Sequence, residues 1–189
     1  MFRKLLAFLF FLSLFVFSNP LSITAQKLTT HKYVGTKVCG KCHKSAKQGK
    51  QYKIWKESIH AQAYEVLKTP MADKYSKEMG YGDKAVESKH CLSCHTSGLE
   101  VDAKFLGPKF KVEDGVQCET CHGAGNDYKS IKIMKNRELA MKNGLVNVFN
   151  NTEEFCRNCH NPESPTFAGF NFKEMWAKIE HPVMHRKKK

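Results

Sequence analysis

Four copies of one five-residue pattern constrain this chain more than anything else in it: Cys39-Gly-Lys-Cys42-His43, Cys91-Leu-Ser-Cys94-His95, Cys118-Glu-Thr-Cys121-His122 and Cys156-Arg-Asn-Cys159-His160. They consume all eight cysteines. Two thiols three residues apart on one helical turn face the same way, and the histidine four residues after the first cysteine lies below the same face. Both sulfurs can then add to the two vinyl groups on one edge of a haem while the imidazole reaches the iron from one side, which is why C-x-x-C-H reads as c-type haem attachment. Four disulfides, or two zinc sites of four thiolates each, would also use eight cysteines. Neither explains the histidine after every pair. With nine histidines in 189 residues, four such coincidences have odds on the order of one in a hundred thousand.

The chain opens with Arg3 and Lys4, then an apolar run from Leu5 to Phe17 interrupted only by Ser13, then Ser18, Asn19 and Pro20. That is the layout of a secretory signal peptide, with cleavage expected after Ala25. The apolar run is shorter than the roughly 20 residues a membrane-crossing helix needs. The expected organisation is therefore a signal peptide at 1–25 and one tetrahaem cytochrome domain at 26–189, exported to a periplasmic or equivalent compartment. The domain is lysine-laden and has twelve glycines, with only short apolar periodic segments between Gly, Asn and Lys clusters. Such a sequence builds a poor side-chain core, so four haem c groups, with their iron, are expected to fill the middle. The fold class that follows is mainly α: short helices and long loops wrapped around covalently bound haems, with little or no β. The formal charge of +13 argues for acidic partners, and export argues against nucleic acid.

Each attachment motif supplies one iron ligand, His43, His95, His122 or His160, which leaves four sixth positions and five other histidines. His60 lies in a stretch, 48–67, where Trp55, Ile59, Ala63, Val66 and Leu67 recur at helical spacing; Pro70 is expected to help end it. His181 follows an amphipathic segment, 171–180, and is held by Pro182. Both are read as iron ligands. His90 immediately precedes Cys91, and because adjacent helical residues point about 100° apart it is expected to serve a neighbouring haem. His31 and His185, near the two ends, are secondary candidates. The methionines, among them Met71, Met79 and Met134, are read as packing. Gly115, Gly123 and Gly125 flank the third motif, which suits backbone passing close to a flat ring, or ordinary turns. The segment 129–142 reads as a helix without assigned chemistry.

The residues around the motifs resemble the tetrahaem cytochrome c554 family. The matching features are Tyr33-Val34-Gly35 before Cys39; Trp55-x-x-Ser58-x-His60-Ala61; Gly115-Val116-Gln117-Cys118-Glu119 running into Cys121-His122-Gly123-x-Gly125; and Cys159-His160-Asn161, Ser164-Pro165-Thr166-Phe167 and His181-Pro182. They span most of the mature chain. The resemblance implies a mostly helical fold around closely stacked haems, three with two histidine ligands and one five-coordinate, which suits His60, His90 and His181 as the three outside ligands. It also implies the partners of the family in ammonia oxidisers, where electrons come from hydroxylamine oxidoreductase and pass towards membrane-linked carriers.

The function expected is electron transfer between a donor and an acceptor redox protein with acidic docking surfaces, membrane association not being required. The alternative is a small redox enzyme that reduces nitric oxide or a related nitrogen species at a five-coordinate haem. That alternative needs a proton donor, for which Asp127 and Tyr128 are the candidates.

Overall fold

The structure is a computed structural model that describes residues 31–181. The signal-peptide reading at 1–25, Pro182 and His185 lie outside the described residues.

The described chain is built from short helices joined by turns, and its one piece of β structure is an isolated parallel bridge between Tyr33 and Leu106. Three of the four cysteine–histidine motifs sit wholly in helices: α1 (Thr36–His43), then, after α2 (Gln51–Glu57), α3 (Ala63–Val66) and α4 (Pro70–Glu78), the second motif in α5 (Lys89–His95) and the third in α6 (Cys118–His122). After α7 (Ile131–Met134) and α8 (Arg137–Lys142), the fourth motif starts in α9 (Thr152–Arg157). It continues the turn beyond the helix, because the Cys159 and His160 amides both donate to the Cys156 carbonyl. The last helix is α10 (Phe172–Ile179), capped by the Asn171 side chain on the Glu174 amide. The mainly helical, strand-poor class expected from the sequence is what the structure has.

Three boundaries depart from expectation. The stretch 48–67 is not one helix. Ser58 takes an extended conformation and bonds its hydroxyl to the Trp55 carbonyl, and a 3-10 turn over Ile59–Gln62 separates α2 from α3. Tertiary bonds hold the break: the Trp55 indole donates to the Val116 carbonyl, and the Val116 amide donates to the His60 carbonyl. Pro70 begins a helix rather than ending one. It sits at the first position of α4, where the missing N–H is no loss, with Thr69 capping the Ala72 amide. Likewise 129–142 divides into α7 and α8, because Asn136 caps a fresh start on the Leu139 amide.

The protein interior is thin. Among the described residues the buried apolar set is Val34, Leu67, Ala85, Ala124, Tyr128 and Ala140, and the largest fully buried side chains are polar, Gln117 and Glu119 foremost. Large apolar side chains stand out instead, Ile59 at 71 % and Met71 at 55 % exposure. A globular domain of this size ordinarily buries such groups.

Candidate functional site

The fold brings the four motifs into contact with one another. The Cys39 and Cys118 thiols share a hydrogen bond, which lowers the first and raises the second. Cys94 and Cys159 do the same, and the bond from Cys159 pulls the Cys94 thiol down to about 6. Cys121 is pushed up to about 11 by burial, with Cys156 close enough to add to the effect. The order of contact is therefore first, third, fourth, second, which is not the order along the chain. No disulfide joins any of the eight cysteines. Among the described residues no group of three or more His, Cys, Asp or Glu is gathered that could hold a metal ion by itself, whereas a four-thiolate zinc site needs four.

The histidines are arranged in pairs. The rings of His60 and His160 have centroids 6.0 Å apart, and those of His122 and His181 are 5.8 Å apart. A metal–nitrogen bond of about 2 Å on either side, plus roughly 1 Å from each donor nitrogen to its ring centre, adds to about 6 Å. Each pair thus has room for one metal atom between its rings. The break at Ser58 is what turns His60 towards the fourth motif, and α10 delivers His181 to the third.

Protonation agrees with a ligating role for these pairs. Burial is the main cause that lowers His60, His160 and His122, the last to about 4, and nearby imidazoles lower His60 and His122 further. A neutral imidazole is the form that donates a lone pair to a metal. The Nδ1 of His181 lies 3.1 Å from the Ile179 carbonyl, and the Nδ1 of His95 lies 2.7 Å from the Ala63 carbonyl. A carbonyl only accepts, so in both rings Nδ1 carries the proton and Nε2 is left with the lone pair, the usual way in which an outer partner orients a metal-binding histidine.

The second motif borders a cavity of about 330 Å³ whose walls include Leu67, Met71, Tyr75, Cys91, Cys94 and His95. His90 is exposed and stacks on Tyr81 with centroids 4.3 Å apart, and both rings also border this cavity. Its ring partner is thus Tyr81, where His60 and His181 have motif histidines as theirs. His31 bonds through Nδ1 to the Asp127 carboxylate at 2.5 Å.

Whether a haem suits these residues can be judged from the apolar side chains. Val66, Met71 and Met79 line the cavity of the second motif, Ile59 adjoins His60, and Phe155 adjoins Cys156; all five are exposed large hydrophobics. Val146 lies against Gly123, next to His122. Flat apolar groups anchored at the cysteines would cover surface of this kind, so the residues fit haem c. Two of the glycines around the third motif stand close to other backbone. A Cβ on Gly115 would stand 2.6 Å from the His60 carbonyl oxygen, and one on Gly123 2.5 Å from that of Gly144, both at positive φ. The close approach is backbone to backbone, and it brings the His60 segment against the third motif.

The most buried charged group is Glu119, inside the third motif. Its Oε1 accepts from the amides of Val34 and Gly125 at 2.8 and 2.7 Å, and its Oε2 from that of Gly35 at 2.8 Å. Thr36 adds a bond to the Asp114 carboxylate at 2.7 Å. The start of α1 is thereby tied to the third motif. Reading the sequence missed this role, although a signal was present: Glu119 is the one acid among the eight residues that stand between paired cysteines.

Comparison with known proteins agrees with this geometry. A family model described as cytochrome c554 and c-prime matches residues 38–123. Among solved structures, the chain is similar to the reduced state of cytochrome c554 from Nitrosomonas europaea, with 25 % identity, 80 % of this chain and 85 % of that one covered, and a TM-score of 0.51. Residues 38–123 are thus similar to the cytochrome c554 family. No curated protein matches. The family implies a c-type cytochrome that carries electrons and binds haem c covalently.

Proposed function

We propose that the chain is an exported electron carrier with four haem c groups, one on each cysteine–histidine motif, exchanging electrons between a donor and an acceptor redox protein. The observation that carries this reading is the spacing of the two histidine pairs, 6.0 and 5.8 Å, each joining a motif histidine to one from a separate element. Haem c supplies reversible one-electron chemistry with a potential set by its axial ligands and burial. The chain's part is to hold the groups and fix their order. Cys39, Cys42, Cys91, Cys94, Cys118, Cys121, Cys156 and Cys159 provide the thioether anchors. His43, His95, His122 and His160 provide one axial ligand each; His60 pairs with His160 and His181 with His122. His90, beside the second motif, is the third outside ligand under the same proposal. The order first, third, fourth, second places the four motifs as successive neighbours, as a continuous path requires. The donor that the family resemblance suggests is an enzyme of the hydroxylamine oxidoreductase kind.

Intact mass of protein made with working cytochrome maturation tests the count: four haem increments are expected, and colourless folded protein without them overturns the reading. Paramagnetic resonance tests the ligands. His60→Ala and His181→Ala should each convert one low-spin haem to high-spin, while an unchanged low-spin count in either variant rejects that pair.

A second reading, reduction of nitric oxide or a related species, is favoured by the cavity beside the second motif. Its candidate proton donors are engaged elsewhere. Tyr128 gives its hydroxyl to the His122 and Gly123 carbonyls and is pushed well above its ordinary range, chiefly by burial, while Asp127 bonds His31 and Asn126. Glu163 borders the cavity and is the carboxyl nearest in place to serve. A high-spin signal that changes on addition of nitric oxide, with turnover lost in Glu163→Gln, would support this reading; four low-spin haems indifferent to nitric oxide would remove it.

A further inference from the structure

From Lys41 to Lys56 every third residue is lysine, and Lys37 stands one helical turn earlier. Glu57 is the only acid between Gly35 and Ser58. All seven lysines are exposed. Lys37 and Lys41 on α1 and Lys44 at its C-cap share one face, being four and three residues apart, while an adjacent face buries Thr36 and Gly40. At Gly40 the helix meets α2: a Cβ there would stand 2.8 Å from the Tyr52 ring. The two lysine-bearing segments are thus held as a hairpin. Glu57 lies 3.6 Å from Lys53, one turn away, and follows Lys56 directly, while Lys37, Lys41, Lys44, Lys47 and Lys50 have no acid beside them in sequence. Cys42, within the same hairpin, is the one motif cysteine of the eight that is exposed, the other seven being half-buried.

This concentration of like charge repels itself and is sustained by the Gly40–Tyr52 packing and the Glu119 anchor rather than by its own pairing. It sets up a positive potential that reaches about 8 Å into physiological salt. The potential surrounds the attachment sulfur most open to solvent, where an electron has the shortest way in or out. An anionic lipid surface would also attract lysines, but a helix that lies on a bilayer inserts an apolar face. The aromatic residues of α2 are turned inward: Tyr52 packs on Gly40, and Trp55 donates to the Val116 carbonyl.

We propose that the α1–α2 hairpin is the docking face for an acidic one-electron redox protein, and that the first motif is the port through which it exchanges electrons. This rests on the electron-carrier reading above. In each docking event one electron moves: the acidic donor is oxidised by one electron as the haem c at the first motif goes from ferric to ferrous, and no proton or bond is transferred.

The test uses the holoprotein on a gold electrode coated with a carboxylate-terminated monolayer, with adsorbed amount and interfacial electron-transfer rate read by voltammetry in low and high salt. Lys41→Glu/Lys44→Glu/Lys47→Glu should lose at least about tenfold in rate at low salt, and the glutamine versions of the same sites should lose less. An equal charge change elsewhere, Lys132→Glu/Lys135→Glu/Lys142→Glu, should stay within about twofold. The difference should vanish in high salt. Equal losses in the two triple variants would overturn the proposal in favour of net charge alone. If the hairpin variant stops binding vesicles of anionic phospholipid yet keeps its electrode rate, the face belongs to a membrane and the proposal is overturned. Holoprotein that exchanges no electrons with the electrode at any salt would instead defeat the carrier reading itself.

Discussion

The first and third motifs touch through Cys39 and Cys118, yet they meet their surroundings in opposite ways. The first is ringed by exposed lysines and shows Cys42 to solvent. The third is enclosed: Cys121 and His122 are shifted chiefly by burial, and Glu119 accepts three backbone amides beside them. The difference teaches a division of labour. A group meant to meet partners needs an accessible edge and a steering charge. A group that organises its neighbours needs satisfied buried bonds, because an amide left unpaired in the interior costs more than a made bond returns.

The largest test of that contrast is Glu119→Ala. Three amides, those of Val34, Gly35 and Gly125, lose their acceptor, and the loss should cost at least about 3 kcal/mol, since each buried unsatisfied donor costs roughly 1–3 kcal/mol. Thermal unfolding of the holoprotein measures it, and a change below about 1 kcal/mol would mean that the carboxylate does not anchor α1 to the third motif.

Gly123→Ala should come next. The residue sits at φ +77° with the Gly144 carbonyl 2.5 Å from any added Cβ, so a loss of about 2 kcal/mol in unfolding free energy, read by denaturant titration, is expected from strain and clash together.

Smaller still is Asp127→Asn, which weakens the link between His31 and the segment after the third motif. The pair is partly exposed, so the cost at neutral pH should stay below about 1 kcal/mol. Its pH dependence has a definite sign. The Asp127 carboxyl is held below its ordinary 3.8, first by the bond from His31. A lowered carboxyl pKa contributes stability above the unfolded value and forfeits it as pH falls through the folded one. Wild type and variant should therefore differ in urea unfolding above pH 3.8 and converge in stronger acid; a gap that widens in acid would show that the carboxylate is not the cause.

Much of the site was legible in the residues. The four motifs announced themselves through spacing alone, and the scarcity of apolar periodicity implied a poor side-chain core, in keeping with the short buried apolar set among the described residues. The segment 171–180 was readable too, since a strong apolar stripe behind an Asn cap is a local signal, and it became α10 with little change. What misled was the stretch 48–67. Its apolar recurrence is genuine, but Ser58 gives up helical geometry because Trp55 and His60 find partners at Val116, sixty residues away. Local periodicity carries no record of a bond that distant. The lysine series was visible in print, but its meaning depended on all seven side chains facing solvent and on α2 folding back at Gly40.

By itself the sequence determined where the four cysteine–histidine motifs lie and that each presents its thiols and histidine together, because a pair of thiols and a histidine on one turn is a local geometry that any helix realises. Only the tertiary structure decided which outside histidine meets which motif, the order in which the motifs touch, and which cysteine faces water. Those are relations between elements far apart in the chain, set by the bonds of the Glu119 carboxylate to distant amides and by the close backbone approaches at Gly115 and Gly123 that only the folded molecule can make.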